Sequence, residues 1–433
     1  MIFSLVRPYL KNIAIVPDKL DGAIASTAFF VCRPGCGIDS RFLLNLLRQD
    51  SFIASIPVYG NSPPAARDKE FEMLRILVPP ESEQSRIADI LDELLSDLDA
   101  GVEALQRVKT KLKLYRAAVL KAAMEGRLTD EWRKQHPVTE SGPELLERIL
   151  GERRCRWEEE QLRRFTEKGT EPPRHWQARY SEASVPNISS LPELPISWCW
   201  ATIDQVGEIQ GGLQKTPHRA PATNHYPYLR VANVKRGQLN LNDLSRFELS
   251  KQELRQLALK RGDLLIVEGN GSRSEIGRCA MWQGEIENCV HQNHIIRVRP
   301  LPGSIPQYIN LFLNSPTGQQ EIQRVASSTS GLYTLSVSKI ERLALPLPPI
   351  PEQQAIVDAA EEQASMIDHI ETDIETKLTA ARALRLSIFH RAFTGQLVPQ
   401  DPNDEPAEEI LKRIAAERAK RSSSTSRRRA KTA

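Results

Sequence analysis

The sequence predicts an α+β protein in which two long helices of coiled-coil type stand beside globular parts. Three observations predict it: an internal duplication, two apolar seams at helical spacing, and short strand-like runs outside them. The duplication comes first, because a fixed-period repeat decides the architecture. Residues 72–128 align with 341–397 at a shift of 269 without a gap, and 16 of 57 positions are identical. The identities include Pro79-Pro80 with Pro348-Pro349, Glu83-Gln84 with Glu352-Gln353, and Gly126-x-Leu128 with Gly395-x-Leu397. A period this long excludes a solenoid. It marks a duplicated module, an irregular segment followed by a long helix.

Proline has no amide N–H and cannot continue a helix, so the chain is extended at Pro79-Pro80 and helix starts after it. Glu83 falls in the first turn, where negative charge suits the helix dipole. Leu91, Leu94, Leu98, Gly101, Leu105, Val108, Leu112, Tyr115 and Val119 then recur at alternating spacings of about 3 and 4, a coiled-coil seam with one weak position. The second copy holds Ala360, Gln363, Ile367, Ile370, Ile374, Lys377, Ala381, Leu384 and Ile388 in the same slots, with Gln363 and Lys377 as polar interruptions. Each helix has roughly 40 residues and so about 60 Å of length. Gly126 and Gly395 are C-terminal stops. Paired with each other, the helices form a rigid rod; unpaired, each is a surface helix of its own domain.

Composition bounds the class. A chain of 433 residues suggests about two to four domains. No apolar run is long enough for a membrane span, and Met1 to Phe30 carries charge throughout, unlike a signal peptide. The net charge of +3 argues nothing by itself. Cys32, Cys36, Cys155, Cys199, Cys279 and Cys289 are scattered without a C-x-x-C pair, which argues against zinc and for free thiols in the cytoplasm.

In chain order, residues 1–77 read as a partial globular domain. Strand-like runs lie at Ile13–Val16 and Ala28–Cys32, and a helix capped by Asp39-Ser40 lies at Arg41–Arg48. Residues 78–130 hold the first long helix. Residues 131–142 read as linker, and Pro143 to about Lys168 as a charged helix, with linker on to 190. The charged helix has a counterpart, Glu409-Ile410-Leu411-Lys412-Arg413-Ile414 matching Glu144-Leu145-Leu146-Glu147-Arg148-Ile149 at an offset of 265. Residues 191–347 form a second globular domain, with strands near Tyr228–Val231, Asp263–Val267 and His294–Val298 and a last helix at Ile305–Asn314. The second long helix fills 348–400. Residues 401–433 read as a short helix and a basic tail, disordered from Lys420.

No catalytic constellation is legible. There is no phosphate loop, no G-x-G-x-x-G after a strand and no nuclease carboxylate cluster. His291 and His294 read as polar residues of an edge strand without a carboxylate partner. What stands out is charge: between Glu208 and Asp243 there is no acidic residue, while Lys215, Arg219, Arg230, Lys235 and Arg236 fall there. Cations neutralise phosphates, and amides and arginines read base edges. Gly211-Gly212 would let backbone approach a ligand closely. Gly269–Ser274 is a second loop of the same character.

These residues resemble a family. Leu191-Pro192-Glu193-Leu194-Pro195-x-x-Trp198-x-Trp200 opening a domain, then Tyr228–Val234, Gly262–Leu265 and Ile276-Gly277-Arg278, and a Pro-Pro-x-x-Glu-Gln element before each long helix, are similar to the specificity subunit of type I restriction-modification systems. The resemblance implies two target-recognition domains separated by two antiparallel helices. Each domain would read half of a split double-stranded DNA sequence, and the helices would set the gap and dock modification (methyltransferase) subunits. A restriction subunit can join. S-adenosylmethionine, ATP and Mg are expected on those partners, with no cofactor, metal or catalysis on this chain and a cytoplasmic location. Gln214, Lys215, Arg219, Arg230, Asn233, Lys235 and Arg273 combine DNA-compatible chemistry with loop positions and are the candidate contacts.

One departure stands out. Ile2-Phe3-Ser4 matches Leu265-Ile266-Val267, and Arg33-Pro34 matches Arg299-Pro300, so the first recognition domain is expected to lack its opening and its basic interval. A mis-called start, a decayed gene and a split subunit are the explanations that compete. Residues 1–76 should then leave apolar surface and strand edges unpaired. The alternative function is a coiled-coil scaffold that tethers protein partners without reading DNA.

Overall fold

In the computed structural model, which describes residues 1–429 apart from Asp21, Ser62, Ser330 and Gly331, both proline pairs end extended chain. A long helix follows each, Glu81–Met124 and Ile350–Phe393. Both stop at a left-handed glycine, Gly126 at φ 73° and Gly395 at φ 72°. The closing bonds match too: Arg127 N–H donates to the Ala122 carbonyl at 2.9 Å, and Gln396 N–H to that of Arg391 at 2.8 Å.

The chain divides into two compact units, residues 1–109 with 371–433 and residues 110–370. In the first, Ile2–Ser4 (β1) lies between Ile13–Ala14 (β2) and Phe29–Val31 (β3), antiparallel to both. Asp39 caps the helix Ser40–Leu47, its Oδ1 accepting from the Arg41 and Phe42 amides at 2.7 and 3.2 Å. Phe3, Ile13, Phe42, Leu46, Ile87 and Leu91 form the core together with Ile388 and Ala392 of the second long helix.

The second unit carries Cys199–Thr202 (β4), Gly207–Gly211 (β5), His225–Leu229 (β6), Ser245–Glu248 (β7), Leu264–Val267 (β8), Gly269–Asn270 (β9), Cys279–Met281 (β10), Val290–His291 (β11), Ile295–Pro300 (β12), Ser327–Thr329 (β13), Leu332–Thr334 (β14) and Ala344–Leu347 (β15). The strands order as β10-β8-β12-β5, β11-β6-β7, β13-β14-β9 and β15-β4. Strand β8 is buried on both faces: Leu264 and Ile266 join one core with Phe312, Leu265 and Val267 another with Trp282. That double burial explains its unbroken apolar run.

The duplication extends past the long helices. β1 between β2 and β3 repeats β8 between β10 and β12. Gly37 at φ +82° lies against the Arg413 guanidinium, as Gly303 at φ +89° lies against that of Arg148. Arg413 pairs with Glu405 at 2.9 Å, as Arg148 pairs with Glu140 at 2.7 Å.

The Glu-Gln pair ties each long helix to its globular part. In the first unit the Gln84 amide donates to the Pro79 carbonyl at 2.9 Å and accepts from Asp39 N–H at 2.9 Å. In the second, Gln353 donates to Pro348 at 2.9 Å and accepts from Ile305 N–H at 3.2 Å. Both glutamines are fully buried. Glu352, also buried, accepts from Thr129 Oγ1 at 2.8 Å, Arg133 Nε at 2.9 Å and Trp198 Nε1 at 2.8 Å.

The long helices run antiparallel. Asp99 pairs with Arg385 and Lys109 with Glu375 in the first unit, and Arg116 pairs with Asp368 in the second. Asp99 and Arg116 are the repeat equivalents of Asp368 and Arg385, so one ion pair recurs with the helices exchanged. The seam is less buried than its spacing suggests. Leu94, Val108, Tyr115, Ile370 and Leu384 are each more than a third exposed, because two helices alone cannot enclose a full apolar stripe.

Other expectations are corrected. Residues 131–142 are not plain linker: Asp130–Gln135 is helical and delivers Arg133 to Glu352. The second globular domain does not end its helices at Asn314, since Pro316–Val325 and Val337–Glu341 follow. Of the tail expected to be disordered from Lys420, residues to Arg429 continue the helix Ala407–Arg429, and 430–433 lie outside the described residues. His294 does have a carboxylate partner, Glu268, at 3.0 Å. His291 does lie in an edge strand, β11, but it is buried there, its Nδ1 donating to the Ile295 carbonyl at 2.9 Å. Among the described residues no helix is long and apolar enough to cross a membrane.

Two measurements follow from this packing. Gln353→Leu leaves the Ile305 N–H and the Pro348 carbonyl without partners and should cost roughly 2–4 kcal/mol. Urea unfolding followed by tryptophan fluorescence checks it; a loss below about 1 kcal/mol would show that the amide does not hold the junction. Burial pushes His291 down from 6.5 to about 4. The unfolded chain therefore takes up this proton first, and the folded state loses stability as pH falls from 6.5 to about 4. The loss is up to about 3 kcal/mol. A His291→Gln protein should show a flatter pH dependence across that window, and identical profiles would refute the assignment.

Candidate nucleic-acid interface

The acid-free interval folds around β6 and β7. Tyr228 and Phe247 stack across these strands, with centroids 3.7 Å apart and planes at 8°. They form the floor of a surface cavity of about 450 Å³ bordered by Lys215, Pro217, Arg219 and Arg246. The cations around this cavity suit a polyanion.

The structure treats the seven predicted residues differently. Gln214 and Lys215 are exposed in the loop after β5. Lys235 is exposed beyond a short 3-10 turn, and Arg273 is exposed in the loop 269–274. Among the described residues no ion pair or side-chain hydrogen bond engages Lys215, Lys235 or Arg273. Arg219 is half-buried and donates to Glu253 at 3.0 Å. Glu253 also caps its own helix, accepting from Ser250 N–H at 2.9 Å. The Ser250 amide, then Arg219, hold its carboxyl below the usual range. Arg230 pairs with Asp243 at 2.7 Å. That carboxylate is largely exposed, so the pair is weak and open to exchange for a phosphate.

Asn233 is turned inward. Its Oδ1 accepts from Arg230 N–H at 2.8 Å, and its Nδ2 donates to the Asn240 and Asp243 carbonyls at 2.8 and 2.9 Å. It shapes the loop 230–243 and presents no free edge. The glycine pair also has a different role from the one its flexibility suggested. A Cβ on Gly212 would lie 2.3 Å from the Gln292 carbonyl oxygen, so the close approach is to the chain itself.

Two contributors were missed. Arg246 lies just past Asp243, where the acid-free stretch ends, and donates to His225 Nδ1 at 3.1 Å. Arg236 was noted only as part of the charge count. It donates to the Ser274 carbonyl at 2.8 Å and so brings the loop carrying Arg273 to the basic interval. Period-two alternation in β7 puts Arg246 opposite in face to Phe247, which is the signal that could have marked it.

The comparisons with known proteins bear on the same region. Residues 195–380 match the type I restriction modification DNA specificity domain. The chain is 27% identical over 358 residues to the type I restriction enzyme EcoKI specificity subunit of Escherichia coli strain K12, covering 81% of this chain and 65% of that protein. It is 26% identical over 360 residues to the StySPI specificity subunit of Salmonella potsdam, covering 81% and 65%. The chain thus spans about 65% of the length of these relatives. Among solved structures, the HsdS subunit from Thermoanaerobacter tengcongensis superposes with a TM-score of 0.51 at 19% identity, covering 92% of this chain and 80% of that one. A chain described under the assembly and conformational transition of the type I R-M system gives 0.61 at 19% identity, covering 92% and 82%. The structural likeness shows the fold. The matched domain shows that residues 195–380 are similar to the type I restriction modification DNA specificity domain, and the aligned relatives, type I restriction enzyme specificity subunits, extend the similarity along most of the sequence.

Proposed function

We propose that this chain is the sequence-specific DNA-binding specificity subunit of a type I restriction-modification complex. The observation that carries the reading is the group of unpaired cations, Lys215, Lys235 and Arg273, exposed on loops of the domain that matches the DNA specificity family. Lys215 neutralises phosphate, and Arg273 reads a base edge. Arg230 joins them by exchanging Asp243 for phosphate, and Arg219 and Asn233 shape the surface. The paired long helices act as the ruler and dock the modification (methyltransferase) subunits, and a restriction subunit completes the complex. The chain itself catalyses nothing. S-adenosylmethionine, ATP and Mg belong to the partner subunits, and the complex works in the cytoplasm beside the DNA.

Duplex binding by the chain assembled with its modification subunits tests this, after the preferred sequence has been selected from random duplexes. Affinity should fall steeply with salt. Lys215→Ala should weaken every sequence about equally and lower the salt slope by about 1, whereas Arg273→Ala should narrow the gap between preferred and scrambled duplexes by roughly 1–3 kcal/mol. Subunit assembly with no salt-dependent duplex affinity would instead identify a coiled-coil scaffold.

A further inference from the structure

Ile276-Gly277-Arg278 turns the chain from the loop 269–274 into β10, and each residue has its own reason to be there. Ile276 is fully buried in the core that also holds Ile322. Gly277 is left-handed at φ +64°, and a Cβ there would lie 2.6 Å from Ile322 Cγ2, so the turn requires glycine. The Gly277 N–H donates to the Val267 carbonyl at 3.2 Å, and Val267 N–H donates back to the Arg278 carbonyl at 3.0 Å. The backbone of Arg278 is thereby tied to β8, an inner strand of its sheet.

Its side chain is 12% exposed and pairs with Glu275 at 3.6 Å. The guanidinium crosses to the basic interval. Nε donates to the Val234 carbonyl at 2.7 Å and Nη2 to that of Val231 at 2.8 Å. These carbonyls stand at the two ends of the 3-10 turn Val231–Asn233, just before Lys235. Two further bonds join the same pieces of chain. Gly237 N–H donates to the Cys279 carbonyl at 2.8 Å, and Arg236 Nη2 to the Ser274 carbonyl at 2.8 Å. The loop of Arg273 is also ordered from within: Ser272 N–H donates to Asn270 Oδ1 at 2.8 Å, and Glu275 N–H to the Ser272 carbonyl at 3.1 Å. These bonds join two loops distant in sequence, and each loop carries an exposed cation, Lys235 or Arg273.

We propose that Arg278 is a positioning residue for sequence recognition. With Arg236 it clamps the turn before Lys235 to the loop of Arg273, so that a phosphate-binding lysine and a base-reading arginine meet DNA as one rigid unit. A guanidinium suits the role because its planar fork satisfies two carbonyls at once, whereas an ammonium is a point donor. Discrimination needs a base-reading side chain held at fixed reach by its supporting shell; attraction to phosphate does not. The inference rests on the DNA-binding reading above and deepens it.

The test uses the full chain carrying Arg278→Lys, free and assembled with its modification subunits. Hydrogen exchange on the free chain reads the clamp without DNA. Amides of 234–238 and 272–275 should exchange faster, and unchanged exchange would overturn the proposal. In the assembled complex, the ratio of affinities for the preferred duplex, selected from random sequences, and a scrambled one should fall at least about tenfold. Affinity for the scrambled duplex should hold. If Arg278 acts through Arg273, the double variant Arg273→Ala with Arg278→Lys should discriminate no worse than Arg273→Ala alone. A loss shared equally by both duplexes, or one that adds in the double variant, would mark a merely structural role and refute the positioning one. Arg236→Gln cuts the clamp from the other loop at a half-buried position and should show the same dependence on Arg273, so the proposal stays testable where Arg278→Lys folds poorly. No salt-dependent duplex affinity in the unaltered complex would sink the underlying reading and the proposal with it, a result distinct from a clamp that does not hold.

Discussion

A buried side-chain amide at the foot of each long helix is the constraint on which the rest of this structure depends. A helix that starts after two prolines has no continuous backbone ladder joining it to what precedes it. Gln84 and Gln353 bridge that break. Each donates back to a proline carbonyl and accepts from an amide of the globular part, Asp39 or Ile305. The bond to the neighbouring element fixes where the helix leaves its domain, which prolines alone would not do. Glu352 adds a charged version of the same connection, drawing in Thr129, Arg133 and Trp198 from three separate segments. Such a donor set offsets the cost of burying the Glu352 carboxylate.

What was legible in the sequence follows from what repeats. The Pro-Pro-x-x-Glu-Gln elements, the glycine stops and the helix lengths are local and periodic, so spacing alone located them. Strand β8 was legible for the same reason, since a doubly buried strand is an unbroken apolar run. The Asp39 cap was legible because its chemistry is confined to neighbouring residues.

What was not legible depends on contacts distant in sequence. Asn233 and Lys235 lie two positions apart in a loop of uniform polarity, yet one is satisfied by three backbone partners and the other is exposed. The charge count treated Arg219 and Lys215 alike. Only the fold brings Glu253, from a helix capped by its own carboxylate, against Arg219. Gly212 misled for a related reason: glycine marks a close approach but does not say to what. Apolar spacing likewise predicted a seam without predicting how much a two-helix pairing covers.

Under the proposed function, the two kinds of cation at the candidate interface would divide the work of recognition. An arginine already held by a carboxylate keeps its direction before ligand arrives, so little side-chain freedom is lost on binding. Arg230 is of this kind, and because Asp243 is solvated, releasing it costs little. Lys215 and Lys235 hold no such partner among the described residues and would contribute field rather than direction. Arg273 sits between the two cases. Its side chain is free, but its loop is held to the basic interval through Arg236 and the Ser274 carbonyl. A free guanidinium on a tethered loop can adjust to a base edge while its reach stays fixed, and that combination favours discrimination over simple attraction.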